Sequence, residues 1–252
     1  MSLLREVMAK KEYQGLNEDF VSSVMSKFYG KYDFSKKSQK TKFLKEVRAK
    51  LREVYGAFRA RNYDRRWKFL EELEGWEDKE GVEKILKVHL SSRERIGYHD
   101  ELYKWIREYV DFNSVLDLGC GFNVFSMPWM GKVGYYGIDI NKDDVEFCNK
   151  YMGRYELEWG VRWGNLLTFD NFVSSDVCFM FKVLEGLEGV DRGSTARLLS
   201  KIRSHYVVAS FATRSLGGKK PISARRLKWF EELVVVVAKK KFGDEIYYIC
   251  KR

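Results

Sequence analysis

The sequence predicts an α/β protein in which a doubly wound, mostly parallel seven-stranded sheet follows an all-helical region. Three observations predict it. From residue 114 onward, short apolar runs alternate with stretches of helical periodicity, the pattern of βαβ units. The run Ser114-Val115-Leu116-Asp117-Leu118 leads into Gly119-Cys120-Gly121-Phe122, an apolar strand that turns sharply into a helix. Two β-rich runs close the chain around Phe242-Gly243-Asp244 and read as a hairpin, which places one antiparallel strand in the sheet.

Residues 1–88 carry helical patterns only. Asn17 is a suitable cap for a helix with Phe20, Val21, Val24, Met25 and Phe28 on one face. Phe43, Leu44, Val47, Leu51, Val54, Tyr55 and Phe58 repeat with a period near 3.6 and predict one helix. Lys45, Arg48, Arg52 and Arg59 form a second stripe beside that apolar face. Ser91-x-x-Glu94 has the form of a capping box, opening a helix that carries Ile96, Leu102, Tyr103, Ile106 and Val110. Strands are expected at 114–118, 134–139, 158–163, 176–182, 205–211, 233–239 and 245–251, with helices near 122–130, 142–152 and 190–203. Pro128 and Pro221 interrupt none of these strands, and no internal repeat or low-complexity linker is visible.

With 252 residues, 45% of them hydrophobic, the chain can bury one full core and a small accessory domain. No apolar run approaches the roughly 18 residues that a membrane span requires, and the first residues lack a secretory apolar core, so a cytoplasmic protein is expected. Cys120, Cys148, Cys178 and Cys250 are scattered and read as reduced core thiols. His89, His99 and His205 form no ligand cluster, so no metal is expected. The net charge of +10 is localised: thirteen Lys or Arg against three acids lie between Lys36 and Lys68, and the rest of the chain balances. A confined basic patch is the electrostatic footprint of a polyanion, here RNA, although a solvated helix face gives a similar pattern.

In open α/β sheets, ligands bind at the carboxyl ends of the strands. Those ends present Asp117 to Gly121, Asp139 with Ile140, Asn165 with Leu166, Lys182, and Phe211 to Arg214. Gly119 and Gly121 allow a ligand to approach the backbone, and Asp139 stands where a nucleotide site needs a carboxylate for ribose hydroxyls. The third glycine of a dinucleotide fingerprint is replaced by Val124, and Asp117 would repel a pyrophosphate while suiting a cationic methionine group. S-adenosylmethionine is therefore the expected cofactor. Asn165 reads either as a hydrogen-bonding group for an adenine edge, with Leu166 on its face, or as a turn residue. Lys182 reads either as a pocket-rim cation for a phosphate or base, or as a strand-end lysine reaching water. No catalytic triad or obvious general base stands near these ends, which suits methyl transfer to a ring nitrogen that needs no deprotonation. An RNA target base would leave its stack to enter such a pocket. A small-molecule methyltransferase and a non-catalytic RNA-binding factor remain alternatives at this point.

The segments His89-Leu90-Ser91-Ser92-Arg93-Glu94-Arg95, Leu116-Asp117-Leu118-Gly119-Cys120-Gly121-Phe122-Asn123 and Phe181-Lys182-Val183-Leu184 resemble the aminoglycoside-resistance 16S ribosomal RNA (guanine-N(7))-methyltransferases. So do Ser210-Phe211-Ala212-Thr213-Arg214-Ser215-Leu216-Gly217-Gly218, Trp229-Phe230-Glu231 and, more faintly, Lys11 to Asn17. The resemblance implies a Rossmann-like class I methyltransferase domain at 89–252 and a helical, basic ribosome-docking domain at 1–88. It implies methylation at N7 of a decoding-site guanine in the 30S subunit, with drug resistance as a consequence. Arg95 would hold the methionine carboxylate, Gly119 and Gly121 would lie beneath the cofactor, Asp139 would take the ribose and Asn165 with Leu166 the adenine. Lys182 and Arg214 would line the target side, and Lys45, Arg48, Arg52 and Arg59 would meet RNA phosphates. A monomer is the expected acting unit. The family's usual prolines are replaced by Val124, Glu185 and Ala212, and its Gly-Met pair by Lys219-Lys220.

Overall fold

The computed structural model describes residues 2–56, 60, 62–214 and 221–251. Its helical part comprises α1 (Leu3–Met8), α2 (Glu18–Tyr29), α3 (Lys37–Leu51), α4 (Arg66–Glu71), α5 (Lys79–Leu86), α6 (Leu90–Arg93) and α7 (His99–Arg107). Seven strands follow: β1 (Ser114–Leu118), β2 (Gly134–Asp139), β3 (Trp159–Trp163), β4 (Val177–Phe181), β5 (Tyr206–Ala212), β6 (Val235–Phe242) and β7 (Glu245–Lys251). Between them lie α8 (Met127–Met130), α9 (Lys142–Arg154), α10 (Leu184–Val190), α11 (Ser194–Lys201) and α12 (Lys228–Glu231).

The sheet order is β3-β2-β1-β4-β5-β7-β6. β1 to β5 pair in parallel, and β7 runs antiparallel to both β5 and β6. The one antiparallel strand expected from the sequence is therefore β7. The order reverses at β1, between β2 and β4, and that switch point opens the ligand crevice of a doubly wound sheet. β4 is apolar on both faces because helices cover both, and every residue of it is buried.

Local structure departs from the expected elements at four places. The Asn17 cap forms as expected, its side chain accepting from the backbone N–H of Asp19 and Phe20. The capping box at Ser91 does not form. His89 caps α6 instead, Nδ1 accepting from the Ser92 N–H, and Gly97 at φ +100° separates α6 from α7. The single helix expected through Phe58 ends as α-helix at Leu51 and continues as a π-helical turn, Arg52–Gly56; Phe58 and Arg59 lie outside the described residues. The helix expected at 190–203 is α11, which starts only at Ser194 after Gly193 at φ +82°, and a further helix, α10, precedes it over Leu184–Val190. The helix expected at 122–130 begins as a 3₁₀ turn over Asn123–Ser126.

Two faces of the sheet build two cores, and a third core belongs to the amino-terminal helices. That third core contains Val7, Phe20, Val24, Phe43, Val47 and Tyr55, with Val190 of α10 added from the α/β part. Tyr63, Leu70, Val82 and Ile85 instead share the core that holds Phe122, Phe125 and Phe147. Helices thus continue past residue 88 to Arg107, and the packing shows no break there.

The basic stripe divides by what each side chain touches. Lys45 is exposed, and Arg52 is just over half exposed beside Glu12. Arg48 turns inward: its guanidinium donates to the Glu6 carbonyl and, at 3.3 Å, to the Val7 carbonyl, closing the end of α1. Arg48→Ala is therefore expected to lower unfolding free energy by about 1–3 kcal/mol in denaturant titration, without changing the salt dependence of RNA binding. Lys45→Ala should leave stability unchanged.

Candidate active site

A cleft with an empty volume of about 740 Å³, counted out to its mouth, lies at the switch point. Its floor is the glycine turn after β1, where Gly119 and Gly121 adopt φ of +70° and +48°. Side chains are excluded there for two reasons. L-residues are strained at those angles, and a Cβ would stand 2.6 Å from Val183 Cγ2 at Gly119 and 2.9 Å from His89 Cε1 at Gly121.

Asp139, at the end of β2, fixes this turn. Its Oδ2 accepts from the Gly121 N–H at 2.8 Å and its Oδ1 from the Asn141 N–H at 3.0 Å, while the side chain still lines the cleft. Ile140, Gly164 and Leu166 line the same wall. Asn165 lies between two of them. Its amide oxygen accepts from the Leu167 N–H at 3.0 Å, and its buried amide nitrogen has no partner among the described residues. Asn165 thus stands behind the wall, between Gly164 and Leu166, and does not itself line the cleft. A glycine floor and a carboxylate beside it, with Leu166 and Ile140 on an apolar wall, fit an adenine nucleoside.

Asp117 is not at the cleft surface as expected. It is fully buried, with Oδ2 accepting from Tyr135 Oη at 2.6 Å and Asn123 Nδ2 at 2.7 Å. Burial pushes its carboxyl up to about 6, against the lowering effect of those two hydrogen bonds. An acid with a raised folded-state pKa favours the native state most below its unfolded pKa, and that contribution is lost as pH rises through the folded value. Between pH 4 and pH 7 this group alone costs roughly 2–3 kcal/mol of stability. Urea unfolding of Asp117→Asn at the two pH values should show the variant gaining that amount on the parent protein; a pH-independent difference would rule the explanation out.

Arg95 also lies away from the cleft wall. Its buried guanidinium meets Glu245 Oε1 at 3.2 Å through Nε and Oε2 at 3.3 Å through Nη2, and Nε also donates to Tyr247 Oη at 3.1 Å. Lys182 does line the cleft, at φ +57°, with Nζ in ion pairs to Glu94 and, at 3.2 Å, to Glu245. Arg214 follows β5, half exposed, with Nε donating to Asp244 at 3.0 Å; residues 215–220 lie outside the described residues. Two positions where the family's prolines are replaced meet at one side chain: Arg226 pairs with Glu185 and donates to the Ala212 carbonyl at 2.8 Å.

Sequence reasoning missed the contribution of the amino-terminal helices to this cleft. Phe20, Val54 and Tyr55 line it, the last two carried there by the π-helical turn. Tyr55 Oη donates to Asp144 of α9 at 2.8 Å. The Asn17 N–H donates to the Ile140 carbonyl at 3.1 Å and the Lys142 N–H to the Gly15 carbonyl at 2.8 Å. The helical region therefore buttresses the loop after β2. Among the described residues no helix is long and apolar enough to cross a membrane, and no group of three or more His, Cys, Asp or Glu could hold a metal ion.

A family model described as ribosomal RNA methyltransferase (FmrO) matches residues 37–236. A relative named 16S rRNA (guanine(1405)-N(7))-methyltransferase, from Serratia marcescens, is 26% identical over 254 residues, covering 99% of this chain and 97% of its own. A relative of the same name from Micromonospora rosea is 29% identical over 222 residues, covering 82% of this chain and 81% of its own. The crystal structure of the 16S rRNA methyltransferase RmtF in complex with S-adenosyl-L-homocysteine superposes with a TM-score of 0.85 at 25% identity, covering 99% of this chain and 96% of that one. The fold expected from the sequence, a Rossmann-like class I methyltransferase domain behind a helical region, is the fold of these proteins. With the model match running from the charged helix α3 into β6, this chain belongs to the ribosomal RNA methyltransferase (FmrO) family.

Proposed function

We propose that this protein methylates N7 of a guanine in the decoding site of 16S rRNA, acting as a monomer on the assembled 30S subunit in the cytoplasm. The observation that carries this reading is the cleft at the switch point, floored by Gly119 and Gly121 and flanked by Asp139. The names of the relatives from Serratia marcescens and Micromonospora rosea support the choice of nucleotide. Asp139 takes the ribose hydroxyls, Leu166 holds the adenine with Asn165 behind it, and Ile140 packs beside it. Arg95 acts from behind the wall, as a buried positive charge toward the methionine carboxylate. Lys182 and Arg214 face the target nucleotide. The helical region within residues 1–88 docks on ribosomal phosphate through the exposed part of its basic stripe, Lys45 and Arg52 foremost.

When bound, S-adenosylmethionine supplies a methyl group on a positively charged sulfur. The protein need not remove a proton, because guanine N7 already carries a lone pair. Its residues hold the ring in line and exclude water. The test is methyl transfer to purified 30S particles, with borohydride reduction and aniline cleavage at N7-methylguanosine before primer extension maps the site, in parallel with protein-free 16S rRNA. A stop at the decoding-site guanine in 30S supports the proposal; transfer to neither RNA overturns it. A docking surface for phosphate also predicts a steep fall in 30S affinity with salt, a fall that a small-molecule methyltransferase lacks.

A further inference from the structure

Glu245 opens β7 and is fully buried, yet it receives two cations from elements far away in sequence. Its Oε2 also accepts from Ser210 Oγ of β5 at 2.8 Å. Burial pushes this carboxyl up, but Arg95 and Lys182 outweigh burial and hold it below its ordinary value, so the group is a carboxylate. The contacts of Lys182 are unusual for a strand-end lysine. Its backbone sits at φ +57°, which a long side chain adopts only when its surroundings enforce it. Its N–H donates to the Ser210 carbonyl at 3.0 Å, so Ser210 steadies both the main chain of Lys182 and the carboxylate that receives its amine. On its other side Lys182 meets Glu94, which is half exposed.

We infer that Glu245 is a positioning residue for methyl transfer: it anchors Lys182 from inside the protein, leaving the ammonium aimed across the cleft toward the target base. This rests on the placement of Lys182 on the target side proposed above. An ammonium suits the oxygen and nitrogen acceptors along the guanine edge. Methylation at N7 moves positive charge onto that ring, and a lone lysine would oppose it. A lysine paired with a buried carboxylate keeps its donor geometry while its charge is offset. Lys182 donates one hydrogen bond, to the half-exposed Glu94, while its 3.2 Å contact to Glu245 Oε1 is an ion pair without hydrogen-bond alignment, so an ammonium proton remains to turn toward a ligand.

The test compares Glu245→Gln with the parent protein, and Glu245→Gln/Lys182→Met with Lys182→Met, using labelled S-adenosylmethionine and saturating 30S subunits. Expected is a fall in single-turnover rate of about tenfold to hundredfold for Glu245→Gln, the range for a small misplacement of a reacting group, with 30S affinity within about threefold. In the Lys182→Met background the same change should cost nothing further, because the residue acts through Lys182. Equal fractional losses in both backgrounds, or full activity of Glu245→Gln, overturn the inference. Should Glu245→Gln fail to fold by circular dichroism, Ser210→Ala carries the same test with every charge kept and a loss of a few-fold expected. Full activity of Lys182→Met would overturn the target-side placement of the lysine itself, and absence of transfer by the parent protein would overturn the proposed function.

Discussion

Asp139→Ala is expected to weaken S-adenosylmethionine binding by about a hundredfold or more. Two losses add in this variant. The carboxylate holds the Gly121 and Asn141 N–H groups at 2.8 and 3.0 Å, so its removal leaves two buried donors without partners and loosens the glycine floor. Each unsatisfied donor costs roughly 1–3 kcal/mol, and only part of that is recovered by local rearrangement. The ribose also loses a charged acceptor, about 1.5–3 kcal/mol per hydrogen bond. Three kcal/mol corresponds to about a hundredfold in affinity. Calorimetric titration with S-adenosylmethionine and S-adenosylhomocysteine measures this directly. Asp139→Asn separates the two losses, since its amide oxygen can keep one N–H while its charge is gone; an intermediate affinity is expected. If Asp139→Ala binds the donor within threefold of the parent protein, the carboxylate serves the turn alone and the ribose site lies elsewhere. Binding to 30S should persist in this variant, which distinguishes a lost cofactor from a lost fold.

What could be read in the sequence was what is encoded locally. The strands of the sheet announce themselves because each is a short apolar run between turn residues, and the glycine floor because two positive-φ positions sit within three residues of a strand end. Asp139 was legible for the same reason: it is the last residue of β2, beside the floor it braces. What escaped is made by contacts across long separations. Arg95 and Glu245 are 150 residues apart, Tyr55 and Asp144 are 89, and Lys182 and Glu94 are 88. Nothing in the local pattern of residues 245–251 distinguishes a buried carboxylate from an ordinary strand-opening acid. The basic stripe was visible as charge, but charge does not reveal which member is spent internally; Arg48 serves two backbone carbonyls of α1. The Ser91 capping box failed because the helix starts at Leu90, one residue before Ser91, and His89, two residues upstream, caps it through the Ser92 N–H.

Lys182→Met is expected to lower methyl transfer to 30S subunits by about a hundredfold while leaving donor affinity nearly unchanged. Methionine keeps the length and apolar stem of the side chain, so packing against the cleft is preserved and the ammonium alone is lost. Loss of a single well-placed donor at a reacting group typically costs about 10²–10³-fold in rate. The donor side of the cleft is held by Gly119, Gly121 and Asp139, none of which bonds to Lys182, so calorimetric affinity for S-adenosylhomocysteine should stay within about twofold. Glu94 loses its partner, but it is half exposed and water replaces the contact. Glu245 keeps Arg95 and Ser210, so its buried charge stays paired and the fold should hold. The separation of rate from donor binding is the deciding result. Equal weakening of both would move Lys182 to the cofactor side of the cleft, where it would act on the methionine carboxylate in place of Arg95. Loss of 30S binding with an unchanged single-turnover rate at saturation would instead make it a phosphate contact, continuous with the charge that α3 presents.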